Sequence, residues 1–506
     1  MRHGGASPYR SRSFQTWASV LSLEELSSIE QVGHNDPKGP QYLDSEGGRR
    51  NPFIAPPLFP KGAGDWPCLR VGRQRTDVHP HERHELRGLP GSSSQHPAAP
   101  EDPWSPASDS ETRVAEGTLT RMRGLLLFGD TERSAALRHE IPVPIIDPFL
   151  FAEVDGRQYV LTSALEHARV KRALPDAEVL DYFALGYKEL VERGMSFADA
   201  GREAEARAVR QIGIEEAIVP GDFPLALGDR LRKDGVVLTV DDAVVELRRR
   251  AKAPVELDGI RAAQRAAEAG MTAVCELLAR ALPAAGGHLQ LNGNPLLAED
   301  VRTTLRAACA GHGAPCPPHV IVASAWQGNG HEPGTGPLPA GLPIQIDIWP
   351  RHEASACWAD MARTFMVGDP APEHADLIAE QARLVRSALT EAQAAVRPGI
   401  TGRELFDAAC DSFESAGYPT QRTAQPDEDL DGFQFSLGHG VGLEVHEAPH
   451  LGLAGHDPLV VGDVLAIEPG LWDRRFGGVT FEDLVLVTEN GCELLTRFPY
   501  NLTPPG

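Results

Sequence analysis

Four carboxylates interrupt runs of strand-forming apolar residues, and no other feature constrains this chain so tightly. Asp347 sits in Ile344-Gln345-Ile346-Asp347-Ile348-Trp349, where the three isoleucines share one face and the aspartate points from the other. Asp360 lies in Trp358–Phe365, Glu468 ends Val464–Glu468 before Pro469-Gly470, and Glu482 sits inside Val479–Val487. A buried carboxylate costs several kcal/mol unless it is paired, hydrogen-bonded or metal-bound. Few basic residues lie near these positions in sequence, apart from Arg363 and the Arg474-Arg475 pair. Any one of these acids alone fits a solvated strand end. Four of them, each embedded in an apolar strand, favour a metal site. His439, in Gly438-His439-Gly440-Val441-Gly442, adds an imidazole, and its flanking glycines would let backbone pass close to a metal or substrate. An oxygen-rich shell with one imidazole suits a pair of hard or borderline divalent ions: Mn²⁺ first, with Co²⁺, Fe²⁺ or Zn²⁺ also compatible.

The rest of the chain sets limits. Its 506 residues are enough for two to four domains. A net charge of −23 argues against nucleic acid or an anionic membrane as partner. Seven cysteines without a CxxC pair indicate neither a disulfide framework nor a zinc ribbon, which suits a cytoplasmic protein. No apolar run approaches the ~20 residues of a membrane span.

Organisation changes near residue 116. Residues 1–116 hold 14 of the 42 prolines, nearly balanced charge, and histidines at 79, 81 and 84. They show no sustained periodicity, so this stretch is expected to be a disordered tail. Trp17, Trp66 and Trp104 are unusual for a selected linker, and we expect the tail to be translated upstream sequence, with the functional start near Val114 or Met122. Residues 118–255 read as an α/β domain. It has a strand over 123–128, a hairpin at Asp155-Gly156, a helix over 196–212, and strands near 216–220 and 235–240. Residues 256–500 read as an α+β domain with long antiparallel strands. Its helix over 257–282 presents Ile260, Ala267, Met271, Val274 and Leu278 on one stripe, and Thr401 and Glu404 form a capping box before a helix that Gly417 terminates.

One motif misleads. His446-Glu447-Ala448-Pro449-His450 matches the HExxH pattern of zinc proteases, which needs both histidines on one helical face. Pro449 and the surrounding glycines make a helix there improbable.

The segments IDIW…WADMARTF (346–365), LGHGVGLEVHEAP (437–449), AIEPG (466–470) and GVTFEDLVLVTENG (478–491) together resemble the pita-bread metallopeptidases, which include aminopeptidase P, prolidase and creatinase. The upstream VASAWQGNGHEPGTGPL (322–338) also fits. The resemblance implies a C-terminal pita-bread catalytic domain preceded by a smaller creatinase-like α/β domain. It implies two divalent ions: Asp347 on the first, His439 and Glu468 on the second, Asp360 and Glu482 bridging. His446 would assist tetrahedral-intermediate formation, Glu468 would accept the proton of a water shared by the ions, and His331 would lie near the leaving nitrogen. The substrates implied are small peptides with proline after the scissile bond, and relatives are often homodimers or higher oligomers.

Three departures stand out. The two aspartates are 13 residues apart where about 11 is common, implying a two-residue insertion in the intervening turn. Ala362 replaces the Thr usual two residues after the second aspartate, and Thr480 replaces an Arg that in prolidases supports the substrate carboxylate. The last change favours aminopeptidase-type cleavage over strict dipeptidase action. The competing expectations are creatinase-like C–N hydrolysis, or an inactive binding module that would use the Arg248-Arg249-Arg250 run. A solvated helix end is the simpler reading of that run. Cys357 reads as core packing rather than a soft ligand.

Overall fold

The computed structural model describes residues 123–327, 331–424 and 431–505. The expected tail, residues 1–116, lies outside the described residues, as does the segment that follows it up to 122.

The chain first builds a six-stranded mixed sheet from β1 (Arg123–Gly129), β2 (Phe149–Val154), β3 (Arg157–Thr162), β4 (Glu178–Asp181), β5 (Glu216–Val219) and β6 (Val237–Val240), in the order β4-β3-β2-β1-β5-β6. Helices α1 (Ala135–Glu140), α2 (His167–Ala173), α3 (Tyr187–Glu192), α4 (Phe197–Ile212), α5 (Leu225–Lys233) and α6 (Asp242–Arg250) accompany it. Alternation along β1 feeds two cores. Leu126 packs with Val209 of α4 and Leu231 of α5, while Leu125 and Leu127 pack with Leu137 of α1 and Val170 of α2. A sheet covered on both faces explains the unbroken leucine run. The β2–β3 hairpin turns through Asp155 and Gly156 at φ 50° and 74°, the left-handed pair that an Asp-Gly turn supplies. Ser196 Oγ accepts the Asp199 N–H at 3.1 Å to start α4, and Gly213, at φ 90°, ends it.

The second body is α+β, as expected. α7 (Pro254–Leu278) buries all five stripe residues. It stops four residues before the expected end, because Leu282 precedes Pro283 and joins a small sheet of β7 (Leu282–Pro283), β8 (Leu289–Leu291) and β9 (Asn294–Pro295). After α8 (Ala298–Gly311) come β10 (Ile321–Ala323), β11 (Ile344–Ile348) and β12 (Met361–Phe365), an antiparallel trio. Ile344, Ile346 and Ile348 pack against Met271 and Val274 of α7 and Leu305 of α8, so Asp347 looks away from that core.

Helices α9 (Pro372–Ala395) and α10 (Gly402–Ser415) cover a five-stranded sheet in the order β14-β13-β15-β18-β19. Its strands are β13 (Gly438–Gly440), β14 (Glu447–Leu451), β15 (Val464–Ile467), β18 (Asp483–Thr488) and β19 (Gly491–Leu494), with β16 (Gly470–Asp473) and β17 (Gly477–Thr480) paired alongside. The Thr401–Glu404 capping box is present, with the Glu404 N–H donating to Thr401 Oγ1 at 3.2 Å. Strands near the site are shorter than expected. The stretch 479–487 is two strands, because the chain leaves β16's partner at Thr480 and joins β15's sheet at Asp483. Glu482 sits in that switch. No helix among the described residues is long and apolar enough to cross a membrane.

Candidate metal centre

Each acid reaches the centre by a different local device. Asp347 is held in β11 opposite Ala362 of β12. Asp360 precedes β12 and accepts the Met361 N–H at 3.1 Å. Glu468 follows β15, and its N–H donates to the Leu437 carbonyl at 2.8 Å. At the sheet switch, the Glu482 N–H donates to the Ala362 carbonyl at 3.1 Å, while Arg363 Nη1 donates to the Glu482 carbonyl at 2.6 Å. Arg363 is fully buried, and its Nη2 also pairs with Asp483 Oδ1 at 2.8 Å. The Glu482-Asp483 dipeptide thus sends one carboxylate into the centre and its neighbour onto an arginine beneath it.

The structure brings the five expected ligands together. Carboxylate and imidazole atoms of Asp347, Asp360 and Glu482 lie within 4.8 Å of one another, as do those of His439, Glu468 and Glu482, and those of Asp360, His439 and His446. His439 Nε2 is 3.5 Å from Glu468 and 3.8 Å from Asp360, and its Nδ1 is 3.1 Å from the Gly440 carbonyl. That bond places the proton on Nδ1 and leaves the Nε2 lone pair facing the acids. His446 packs edge-on against His439 with ring centroids 4.3 Å apart. His331 is exposed at the rim of the same pocket.

Electrostatics show what the cluster lacks. Burial first, then the charges of Asp347 and Glu468, pushes Asp360 well above the ordinary carboxylate range. Glu482 is raised in the same way by burial and by Asp360. Burial lifts Asp347 to about 7, and burial with Asp347 lifts Glu468 to about 8. Burial and His446 lower His439 to about 4, so its imidazole is neutral. Among the described residues no lysine or arginine pairs with these four acids, and Arg363 meets Glu482 through the backbone carbonyl. Four carboxylates and a neutral imidazole without a cation are a donor set that divalent ions fit.

Packing gives a further reason for the glycines around His439. Gly438 lines the pocket, and a Cβ on it would stand 1.9 Å from the Ala466 carbonyl, while one on Gly440 would stand 2.3 Å from that of Ala448. β13 is squeezed between β14 and β15. One sequence-based expectation is corrected: the arginine run is not a solvated helix end. Arg249 and Arg250 are buried. Arg250 forms a fork on Asp463 at 2.9 and 2.6 Å, Arg249 pairs with Glu447 at 2.5 Å and Glu444 at 2.6 Å, and Arg248 pairs with Glu140 and Glu153 of the first body. Lys252 also pairs with Glu447. The run latches α6 beneath the strand that follows His446.

Residues 258–489 match the family model for metallopeptidase family M24. This segment belongs to that family. Among curated relatives, the Xaa-Pro dipeptidase of Pyrococcus furiosus is 37% identical over 139 residues, 28% of this chain and 36% of that protein. The chain therefore matches about a third of the length of such relatives. Among solved structures, the prolidase of Pyrococcus horikoshii OT3 aligns with a TM-score of 0.59 at 22% identity, covering 75% of this chain and 95% of the other. Dipeptidase PepE of Mycobacterium ulcerans aligns with a TM-score of 0.58 at 26% identity, covering 76% and 93%. The fold is the pita-bread fold of prolidases and aminopeptidase P.

In this M24 domain the pocket above the acids has a volume of about 430 Å³. Its wall includes Ile321, Phe435, Leu471 and Trp472, and its rim includes His450 and Thr480. Sequence reasoning missed the apolar wall, because Phe435 lies outside regular structure and Trp472 in a four-residue strand, both too short to show periodicity. His450 carried a signal in the HExxH match. Residues 447–451 form a strand, so the helical reading fails, and His450 nonetheless pairs in register with His439 across β13 and β14. Thr480 exchanges hydrogen bonds with Thr364: the Thr480 N–H donates to Thr364 Oγ1 at 2.9 Å, and that hydroxyl donates to the Thr480 carbonyl at 3.1 Å. Cys357 lies in the core with Ile260 and Ala263. The longer turn between β11 and β12 docks on the first body, where Arg138 Nη2 donates to the Ala354 carbonyl at 2.6 Å.

Proposed function

We propose that this M24 protein hydrolyses peptide bonds preceding proline, using a two-metal centre. In this reading Asp347 would hold the first ion, His439 and Glu468 the second, and Asp360 and Glu482 would be shared by both. The observation that carries it is the overlap of the three ligand groups, in which Asp360, Glu482 and His439 are each shared between two of them, so that the donors form one continuous cluster. Divalent ions held there would supply Lewis acidity toward the scissile carbonyl and a water of lowered pKa.

The chain's own groups do the rest. Glu468 is partly open to the pocket and accepts the proton of the attacking water. His446, exposed above His439, donates to the oxygen that becomes negative. His331, at the rim, stands toward the leaving nitrogen. Phe435, Leu471 and Trp472 offer an apolar wall for a pyrrolidine ring, and a proline nitrogen carries no N–H that the site would have to satisfy. With Thr480 where prolidases carry an arginine, longer Xaa-Pro-Yaa peptides are preferred over dipeptides. We take manganese as the first choice of ion, and residues 118–255 and 256–500 as the two domains.

The test is a panel of Xaa-Pro dipeptides and Xaa-Pro-Yaa peptides assayed with Mn²⁺, Co²⁺, Fe²⁺ and Zn²⁺ in turn. Metal-stimulated release of the N-terminal residue is expected. A well-folded protein that binds no divalent ion and releases nothing overturns the reading.

A further inference from the structure

A second cavity, of about 570 Å³, opens in the first body between α4 and the segment that runs from β4 into α3. Its floor holds Glu205, which is only 4% exposed. Tyr182 donates to Glu205 Oε1 at 3.2 Å, but Oε2 has no hydrogen-bond partner. The one basic side chain lining the cavity, Arg202, is bound to Asp199 at 2.5 Å. Two further acids, Asp147 and Asp181, line the same cavity, so acids outnumber the base three to one. Burial pushes Glu205 up to about 7, against the Tyr182 hydroxyl and the charge of Arg202.

The walls are aromatic. The Tyr182 and Tyr187 rings lie 5.9 Å apart, edge to face, and Phe183 stacks on Tyr187 at 6.2 Å. Phe183 and Phe197 also line the cavity while remaining 63% and 74% exposed. Aromatic faces and a desolvated carboxylate both attract a cation, and an apolar rim attracts the body that carries it. The volume is that of a small-molecule site.

We propose that this cavity binds a small organic cation, an ammonium or guanidinium group on an apolar or aromatic body, with the Glu205 carboxylate as its anchor. The ligand supplies a charged partner to a carboxylate that Tyr182 satisfies on one oxygen only. The proposal stands apart from the peptidase reading, since none of these residues belongs to the M24 segment.

Calorimetric titration of the full chain with 2-phenylethylamine, and with its neutral counterpart 2-phenylethanol, tests it. Saturable binding of the amine is expected, with the alcohol at least about tenfold weaker. Glu205→Gln keeps the shape, removes the charge, and is expected to weaken the amine by about tenfold or more. Gly201→Leu covers the case in which that variant fails to fold. A Cβ at Gly201 meets Glu205 Oε1 at an ordinary 3.6 Å, and leucine favours the helix over glycine, so the side chain fills the cavity and abolishes binding. Equal affinity for amine and alcohol overturns the proposal, as does amine binding unchanged in both variants. So does the absence of saturation up to about 10 mM.

Discussion

Two groups of buried charge flank the His446-Glu447 step, one inside the second body and one where α6 meets it, and burial acts on them in opposite ways. In the metal centre, Asp360 and Glu482 have no paired cation among the described residues, and despite the charge of Arg363 near Glu482 both are driven far above the ordinary carboxylate range. In the latch beneath it, burial alone would raise Glu447, but Lys252 and Arg249 outweigh it and hold the carboxyl below that range. Glu447 and Glu482 are comparably buried, at 7% and 2% exposure, so the partner decides the charge. A carboxylate cluster left without protein cations is a frustrated arrangement that an ion relieves. A paired cluster is complete and serves position. Glu447 joins the two, since it follows His446 directly and its ion pairs fix the start of the strand that follows that histidine.

The largest expected effect separates activity from stability. Asp360→Ala removes a ligand shared between clusters and should lower kcat/KM by on the order of 10³ or more, about 4 kcal/mol of transition-state stabilisation. Bound metal, measured by elemental analysis, should fall with it. The metal-free form of the same variant should be no less stable than the metal-free parent in urea, because a repelling carboxylate has gone. Marked destabilisation there would place Asp360 with the latch and break the comparison.

The latch should behave the other way. Glu447→Gln leaves Arg249 and Lys252 buried without their counter-charge, and should cost about 3–5 kcal/mol in urea unfolding even without metal. A change under about 1 kcal/mol would mean that water replaces the carboxylate and that the latch is solvated. Nothing in the sequence announces this pair. Arg249 and Glu447 are 198 positions apart, and Arg250 and Asp463 are 213 apart, so three consecutive arginines at a helix end look like a solvated terminus. The metal centre was legible for the opposite reason. Ile344, Ile346 and Ile348 alternate with Asp347 inside a single strand, and local periodicity alone exposes an acid on the wrong side of a core strand. The same logic placed α4 between Ser196 and Gly213. It failed for Phe435 and Trp472, whose approach to the pocket depends on chain reversals that no period encodes.

Opposite shifts imply opposite pH responses. Asp347 and Glu468 are raised to about 7 and 8, so the metal-free native state holds more protons than the unfolded chain between about pH 4 and 8. Metal-free stability should therefore fall as pH rises through that window. Glu447 is held below its unfolded value of 4.5, so its contribution is complete above that value and is lost as pH falls through the lower folded one. Urea midpoints of metal-free protein should thus be highest at the acid edge of that window, near pH 4 or just below, and decline from there to pH 8, and added Mn²⁺ should flatten that decline. Midpoints that climb from pH 6 to 8 without metal would contradict the frustrated-centre account.

The smallest effect concerns Thr480, which lines the pocket yet belongs to neither cluster. Its backbone is fixed by Thr364, so a substitution there changes what the side chain presents rather than where the strand lies. The side chain is nevertheless confined, because a Cβ on Gly470 would stand 2.5 Å from its hydroxyl. An arginine at this position would reach toward the pocket that Thr480 lines and add a cation beside the acids. Thr480→Arg should raise kcat/KM for Xaa-Pro dipeptides relative to Xaa-Pro-Yaa peptides by about three- to tenfold, through a charge-assisted bond to the dipeptide's carboxylate. The gain should appear in KM, since that carboxylate does not change charge during the reaction. A loss for both substrate classes together with loss of bound metal would mean that the new guanidinium pairs with the acids instead. The centre would then have become a second latch, satisfied by the protein and closed to ions.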